Sequence, residues 1–343
     1  MPKSAKKLRK KLPKRGGRTR KSKRMATPAE ATMSATPNPM AELDVACEGL
    51  TQSRQRPLLV LFYPYKARIN EWDLNDVYKT LRESGATPEN RIPKLDVLIH
   101  SSGGSPVGGY RLAQLIRDFA DEVAFLVPEH AYSAATLLCF AGNQVRLAHF
   151  AGLSPIDITL VYERKEVELA TVDSFMEFAQ DARKKIEGLL AKIDSNGKTN
   201  VDADLLVAMV QEVGAMEVGK YYRERNLTGQ YAETLLGSYM FAGFRDREQR
   251  RQDVIGKFLF GAPAHDFHLD YHICSDWRLE VVEMPTAESD LAKGVLDKLN
   301  ELASSETICQ HLNKRERYPY FGWYAQAAQG TVPPTQTTGG VTP

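Results

Sequence analysis

A serine among small residues and a paired glycine upstream are the parts of this sequence best suited to chemistry. Ser133 lies in HAYSAATL, flanked by Ala131, Ala134 and Ala135. Gly103 and Gly104 end the run LDVLIHSSGG, and Gly104 stands 29 residues before Ser133. Small neighbours let a substrate backbone approach. A helix beginning after Ser133 would point the Ala134 N–H at the same space. Glycines after an apolar strand let backbone N–H groups converge on an anion. A serine with such donors is the layout that acyl transfer requires, with Gly103, Gly104 and Ala134 as an oxyanion hole. The competing reading is a plain helix N-cap serine beside a tight turn. SGGSPVGG lacks the Lys-Ser/Thr end of a P-loop and does not match G-x-G-x-x-G, so no nucleotide cofactor is expected.

Strands and helices must alternate to present these turns on one edge. Residues 57–63, 95–100, 122–128 and 144–148 read as buried strands. Residues 73–84, 107–120 and 133–142 read as helices, with Asp73 as the N-cap of the first. That order implies parallel βαβ units. After Asp157 the pattern turns helical, over 166–194, 203–224, 230–243, 247–260 and 286–304, with 261–283 irregular to extended. The 166–194 stripe includes Val172, Phe175, Ala179, Ala182, Ile186, Leu189 and Ile193. Lys184 and Lys185 fall beside it and read as solvated. Tyr318, Tyr320, Phe321, Trp323 and Tyr324 form an aromatic segment that suits either an oligomer contact or packing on the chain's own core.

The chain has 343 residues and a formal net charge of +2. Residues 1–24 hold thirteen of its 45 Lys and Arg and no acid, so the remainder carries 32 bases against 43 acids, about −11. The basic character belongs to a tail. Residues 1–40 are expected to be disordered, with residues 1–24 able to make nonspecific contact with nucleic acid or an anionic surface. Residues 329–343 read as a second disordered tail, which leaves one domain over 41–328 with a helical insertion or extension at about 164–260. Four cysteines without C-x-x-C spacing suggest neither a zinc ribbon nor a disulfide framework. No run matches a membrane span, and no apolar stretch follows the basic segment as in a secretory signal. A cytoplasmic location is expected.

The segments LDVLIHSSGG, VPEHAYSAATL and AGLSPID, with a weaker match in KFLFGAPAHDFHL, resemble the ClpP/crotonase superfamily. Within it they resemble the SppA-like serine dehydrogenase proteinase family. The resemblance covers roughly residues 57–283 and is strongest over 95–157. It implies an α/β spiral of ββα units with an added helical region, a homo-oligomer, and a serine endopeptidase acting on a peptide or protein. On that match Ser133 is the nucleophile and Gly103 and Gly104 belong to the oxyanion hole. Two departures stand out: Ala135 replaces a frequent glycine, and no histidine follows soon after the nucleophile helix.

A serine needs a base, and two candidates remain. Lys220 continues the apolar face of Leu206, Met209, Val213 and Met216, where burial could lower a lysine toward neutrality. His265 lies in AHDFH, with Asp266 or Asp270 as an orienting carboxylate. His265, His268 and His272 have metal-like spacing, but Gly261 and Pro263 argue against a helix there, so no metal is expected. Asp157, in SPID, reads as a turn aspartate held by local hydrogen bonds, or else as a third member or positioning group of the site. His130 and Tyr132 could line a substrate groove. Two other classes share parts of this layout: a catalytically silent scaffold, and an acyl-CoA enzyme that uses the oxyanion donors without a nucleophile.

Overall fold

The computed structural model describes residues 39–64, 66–157, 159–162, 165–168, 215–304 and 319–325. The chain is a mixed α/β protein built on a six-stranded, mostly parallel sheet. In chain order the first half runs α1 (Pro39–Arg54), β1 (Leu58–Phe62), α2 (Asp73–Arg82), β2 (Ile92–His100), α3 (Pro106–Phe119), β3 (Ala120–Val127), β4 (His130–Ala131), α4 (Ala134–Cys139), β5 (Gln144–Leu147) and β6 (Gly152–Leu153). A hairpin follows, of β7 (Thr159–Tyr162) and β8 (Lys165–Glu168). The second half has α5 (Ala215–Leu235), which continues into a π-helical turn at Leu236–Met240. It then runs α6 (Arg247–Phe260), α7 (Tyr271–Asp276), β9 (Val281–Glu283), α8 (Thr286–Ser304) and β10 (Tyr320–Tyr324).

The large sheet has the order β10-β1-β2-β3-β5-β9. One row crosses it as Trp323, Leu59, Val97, Phe125, Val145 and Val281. Only β10 is antiparallel. All five residues of β1 and the last six of β2 are buried, as expected for parallel strands covered on both faces. This explains why they read as unbroken apolar runs rather than as alternation.

A second, smaller sheet gives the fold its spiral character. β4 pairs in parallel with β6, Ser101 at the end of β2 bridges Ala131, and Leu153 bridges Leu269. Ile69 likewise bridges Gly104. Each turn therefore contributes a long strand to the large sheet, a short extended piece beside it and, in the first three turns, a helix. These are ββα units. Their short strands are two residues long, too brief to show a period in the sequence.

Several expectations change. Asp73 is the first helical residue rather than the N-cap: its carboxylate accepts from the Asn70 N–H (2.9 Å) and the Tyr63 hydroxyl (3.0 Å). The separate helices expected at 203–224 and 230–243 are one continuous element from Ala215 to Met240, because the polar stretch around Asn226–Gly229 does not break it. The segment 261–283 contains α7 and an edge strand, β9. The aromatic segment adds β10 to the chain's own sheet, where Phe321 meets Tyr63 edge-on at 5.7 Å. The stripe at 172–193, with Lys184 and Lys185, lies outside the described residues, as do the tails. Among the described residues no helix is long and apolar enough to cross a membrane.

Candidate active site

Ser133 sits between β4 and α4, in a backbone conformation that serine seldom takes: φ is 52° and ψ −115°. Such a conformation costs on the order of 1–3 kcal/mol and persists only where the surroundings impose it. Its side chain makes no helix-cap hydrogen bond, so the N-cap role suggested by its position is not the one it plays. A buried polar network imposes the turn. The Ser133 N–H donates to Ser154 Oγ at 2.7 Å, and Ser154 Oγ donates to the Pro155 carbonyl at 3.0 Å. The Ser154 N–H donates to Thr136 Oγ1 at 3.1 Å, and Thr136 Oγ1 donates to the Ala131 carbonyl at 2.7 Å. Thr136 and Ser154 are fully buried, where an unpaired polar atom is costly. Both were overlooked in the sequence; the readable signal was two small polar residues inside apolar stretches flanking the serine.

Gly103 and Gly104 face this turn for different reasons. A side chain at Gly103 would come within 2.8 Å of both Ser133 Cβ and the Tyr132 carbonyl, and its φ is +98°. The Gly103 N–H is already committed to Ser101 Oγ at 3.0 Å. Gly104, at φ +152°, lies against the backbone of Ile69, which a Cβ would overlap. Flanking bonds fix it there: the Ile69 N–H donates to the Gly103 carbonyl (2.9 Å) and the Ser105 N–H to the Ile69 carbonyl (2.8 Å). Among the described residues neither the Gly104 N–H nor the Ala134 N–H is matched to an acceptor. After the turn, Ser105 caps α3 by accepting from the Gly108 N–H, with Pro106 at the first helical position.

The AHDFH segment comes to the same region. The Leu153–Leu269 bridge fastens it to β6, and the His268 ring lies over Gly152. Tyr132 Oη and His268 Nδ1 are 2.9 Å apart. His265 Nδ1 lies 2.6 Å from Asp157 Oδ1, with Asp157 only 6% exposed. Asp157 is thus not a turn residue satisfied locally. Its partner is 108 residues away, and neither Asp266 nor Asp270 takes that role. Asp270 instead caps α7 through the Ile273 N–H. Lys220 falls within α5, with its side chain outside the described residues. His149 is exposed and 3.5 Å from Glu283. His265, His268 and His272 do not gather: they meet Asp157, Tyr132 and Tyr271 respectively.

Burial shapes the titration of neighbouring groups. Desolvation, with a smaller push from His130, holds the His100 imidazole down at about 3. Desolvation also lowers His130, against the pull of Glu129. The Tyr132 hydroxyl is raised by burial and by the charges of Glu129 and Asp266.

No protein-family model matches the chain. Two uncharacterized proteins of Methanocaldococcus jannaschii are similar to it, at 26% identity over 163 residues and 25% over 104, or 47% and 30% of the chain. The matches span 56% and 34% of those relatives' own lengths. Among solved structures, a serine-to-alanine mutant of a membrane-bound stomatin-specific protease is 10% identical, with a TM-score of 0.38 over 70% of this chain and 82% of the other. ClpP1 from Listeria monocytogenes is 11% identical, with a TM-score of 0.36 over 73% and 98%. A peptidase from Plasmodium falciparum is 11% identical, with a TM-score of 0.33 over 69% and 98%. These neighbours are peptidases by name.

Proposed function

We propose that the protein is a serine endopeptidase of the ClpP/SppA class that works through an acyl-enzyme on Ser133. The observation that carries this reading is the Asp157–His265 pair. Asp157 stands three residues from Ser154, and Ser154 holds the Ser133 backbone. With Asp157 accepting from Nδ1–H, the neutral His265 ring carries its lone pair on Nε2, the form a general base needs.

In this reading Nε2 takes the Ser133 Oγ proton as Oγ attacks the scissile carbonyl. The tetrahedral oxyanion receives the N–H groups of Gly104 and Ala134. Gly103 contributes space rather than a donor, since its N–H is held by Ser101. Collapse expels the amine, which takes the proton back from His265, and a water then repeats the sequence on the acyl-enzyme. The strained Ser133 backbone fits this role, because the strain keeps the hydroxyl out of helix capping. The finer placement near the SppA-like serine dehydrogenase proteinases, a homo-oligomeric state and a peptide or protein substrate belong to the same proposal.

The test is covalent labelling of the purified chain with a fluorophosphonate probe, mapped by peptide mass spectrometry. The reading predicts one adduct on Ser133 that Ser133→Ala removes. A folded wild type that takes no label overturns it in favour of a silent scaffold, and specific binding of a coenzyme A thioester to that unlabelled protein would point to acyl-CoA chemistry.

A further inference from the structure

Behind the two turns that carry Gly103 and Ser133 lies a group of side chains that the peptidase reading does not use. His100 is the last residue of β2, and Glu129 and His130 lead into β4. One ligand-capable atom from each lies within 4.8 Å of the others. His100 Nδ1 is 3.8 Å from Glu129 Oε2, and His130 Nδ1 is 3.9 Å from Glu129 Oε1. The two imidazoles lie side by side, tilted at 55°, with ring centroids 4.1 Å apart.

The buried member is the telling one. His100 is 7% exposed and stacks on Phe62. Its Nδ1 is buried without any hydrogen-bond partner among the described residues, since 3.8 Å to Glu129 is too long for one. Buried polar atoms are nearly always satisfied by protein, water or an ion. The remaining ring nitrogen of the second histidine has its own neighbour, with Ser102 Oγ 3.4 Å from His130 Nε2. Such an outer contact is what orients a ligating imidazole.

We propose that His100, Glu129 and His130 form a binding site for one divalent transition-metal ion of the zinc class. Two imidazoles and a carboxylate suit zinc, cobalt or nickel over magnesium or calcium, which prefer oxygen donors. Zinc bonds of about 2.0–2.2 Å put tetrahedral ligands roughly 3.3–3.5 Å apart. The observed 3.8 and 3.9 Å run to different oxygens of Glu129, so binding needs a contraction of about half an ångström or more and a turn of the carboxylate toward both rings. Glu129 can supply both, because its side chain is 59% exposed while His100 is fixed in the core. Water completes the coordination from the open side.

Bound there, the ion ties the end of β2 to the start of β4. The turn carrying Gly103–Gly104 and the turn carrying Ser133 leave from those two points. The site itself is independent of whether Ser133 is a nucleophile.

The full-length chain, stripped by a chelator, is titrated with Zn2+ in competition with a metallochromic chelator and with Co2+ by visible absorption. The proposal predicts a tight equivalent of Zn2+, a Co2+ spectrum of low-coordinate N/O type, and a thermal midpoint raised by Zn2+. Glu129→Gln and His130→Asn should each weaken that equivalent by at least about tenfold, the lower end of what losing even an outer partner costs. His149→Asn, at the exposed His149–Glu283 contact, should leave it unchanged. Glu129 is exposed, so Glu129→Gln is expected to fold even if a His100 substitution does not. Absence of a tight equivalent in wild type, or one that survives both Glu129→Gln and His130→Asn, overturns the proposal.

Discussion

The turn that holds Ser133 and the loop that holds His265 are built on opposite principles. The first is sealed: Ser154, Thr136 and the carbonyls of Ala131 and Pro155 bond to one another inside the core, and two glycines press against it without side chains. The second is tethered: among the described residues it is held by the backbone bridge at Leu269, the His268 ring over Gly152, the Tyr132–His268 contact and the Asp157–His265 contact, over a stretch whose residues are mostly exposed or half-buried. A strained serine needs the sealed kind of support. The proposed base, which would pass a proton in both directions, can sit on the tethered kind. Substitutions in the turn should therefore lower stability, whereas substitutions in the loop should lower activity and leave stability nearly intact.

The largest expected effect is at Gly104. Gly104→Ala forces a Cβ onto the Ile69 backbone in a φ region closed to L side chains, and we expect a loss of about 3 kcal/mol or more by urea unfolding. Ser154→Ala comes next. It strands the part-buried Ser133 N–H and takes the Ser154 hydroxyl from the Pro155 carbonyl, and the urea midpoint should fall by an amount equivalent to about 1–3 kcal/mol. An unchanged midpoint for Ser154→Ala would erase the distinction between the two regions.

Asp157→Asn disturbs the tether instead of the turn. Stability should move by less than about 1.5 kcal/mol, the size of one hydrogen bond. Probe labelling of Ser133 should slow by roughly 10²–10⁴, because the amide no longer selects the required tautomer. Equal losses of stability in Asp157→Asn and Ser154→Ala would show that the loop is sealed as well. The smallest effect is expected for Tyr132→Phe, which removes one exposed contact to His268 and should shift stability by no more than about 0.5–1 kcal/mol.

The same contrast explains what could be read from the sequence. Over 95–157 the elements are local: apolar runs of strand length end in Gly103–Gly104 or lead to Ser133, and the helix after Pro106 has its cap beside it. Patterns of this kind are visible one residue after another. The short strands β4 and β6 were not visible, because two residues carry no alternation. For Asp157 the sequence left a local turn and a positioning role both open, because its partner is 108 residues away and nothing in SPID announces which distant histidine it meets. Likewise β9 has three half-exposed or exposed residues and is a strand only because β5 lies beside it. The aromatic segment displayed a need for cover, but not that it would become the half-buried antiparallel edge of the chain's own sheet. The group at His100, Glu129 and His130 was hidden by position, since two of its members come from one strand end and one from another.

In the proposed mechanism the Asp157-oriented His265 activates Ser133. The most direct measurement is the rate of fluorophosphonate labelling at Ser133 in wild type, His265→Gln and Lys220→Met, with folding of each checked by circular dichroism. The account predicts that His265→Gln loses labelling by at least about 10²-fold, the scale of general-base catalysis, while Lys220→Met labels at nearly the wild-type rate. Full labelling of His265→Gln, together with its loss in a folded Lys220→Met, would contradict it and make the base a lysine on α5.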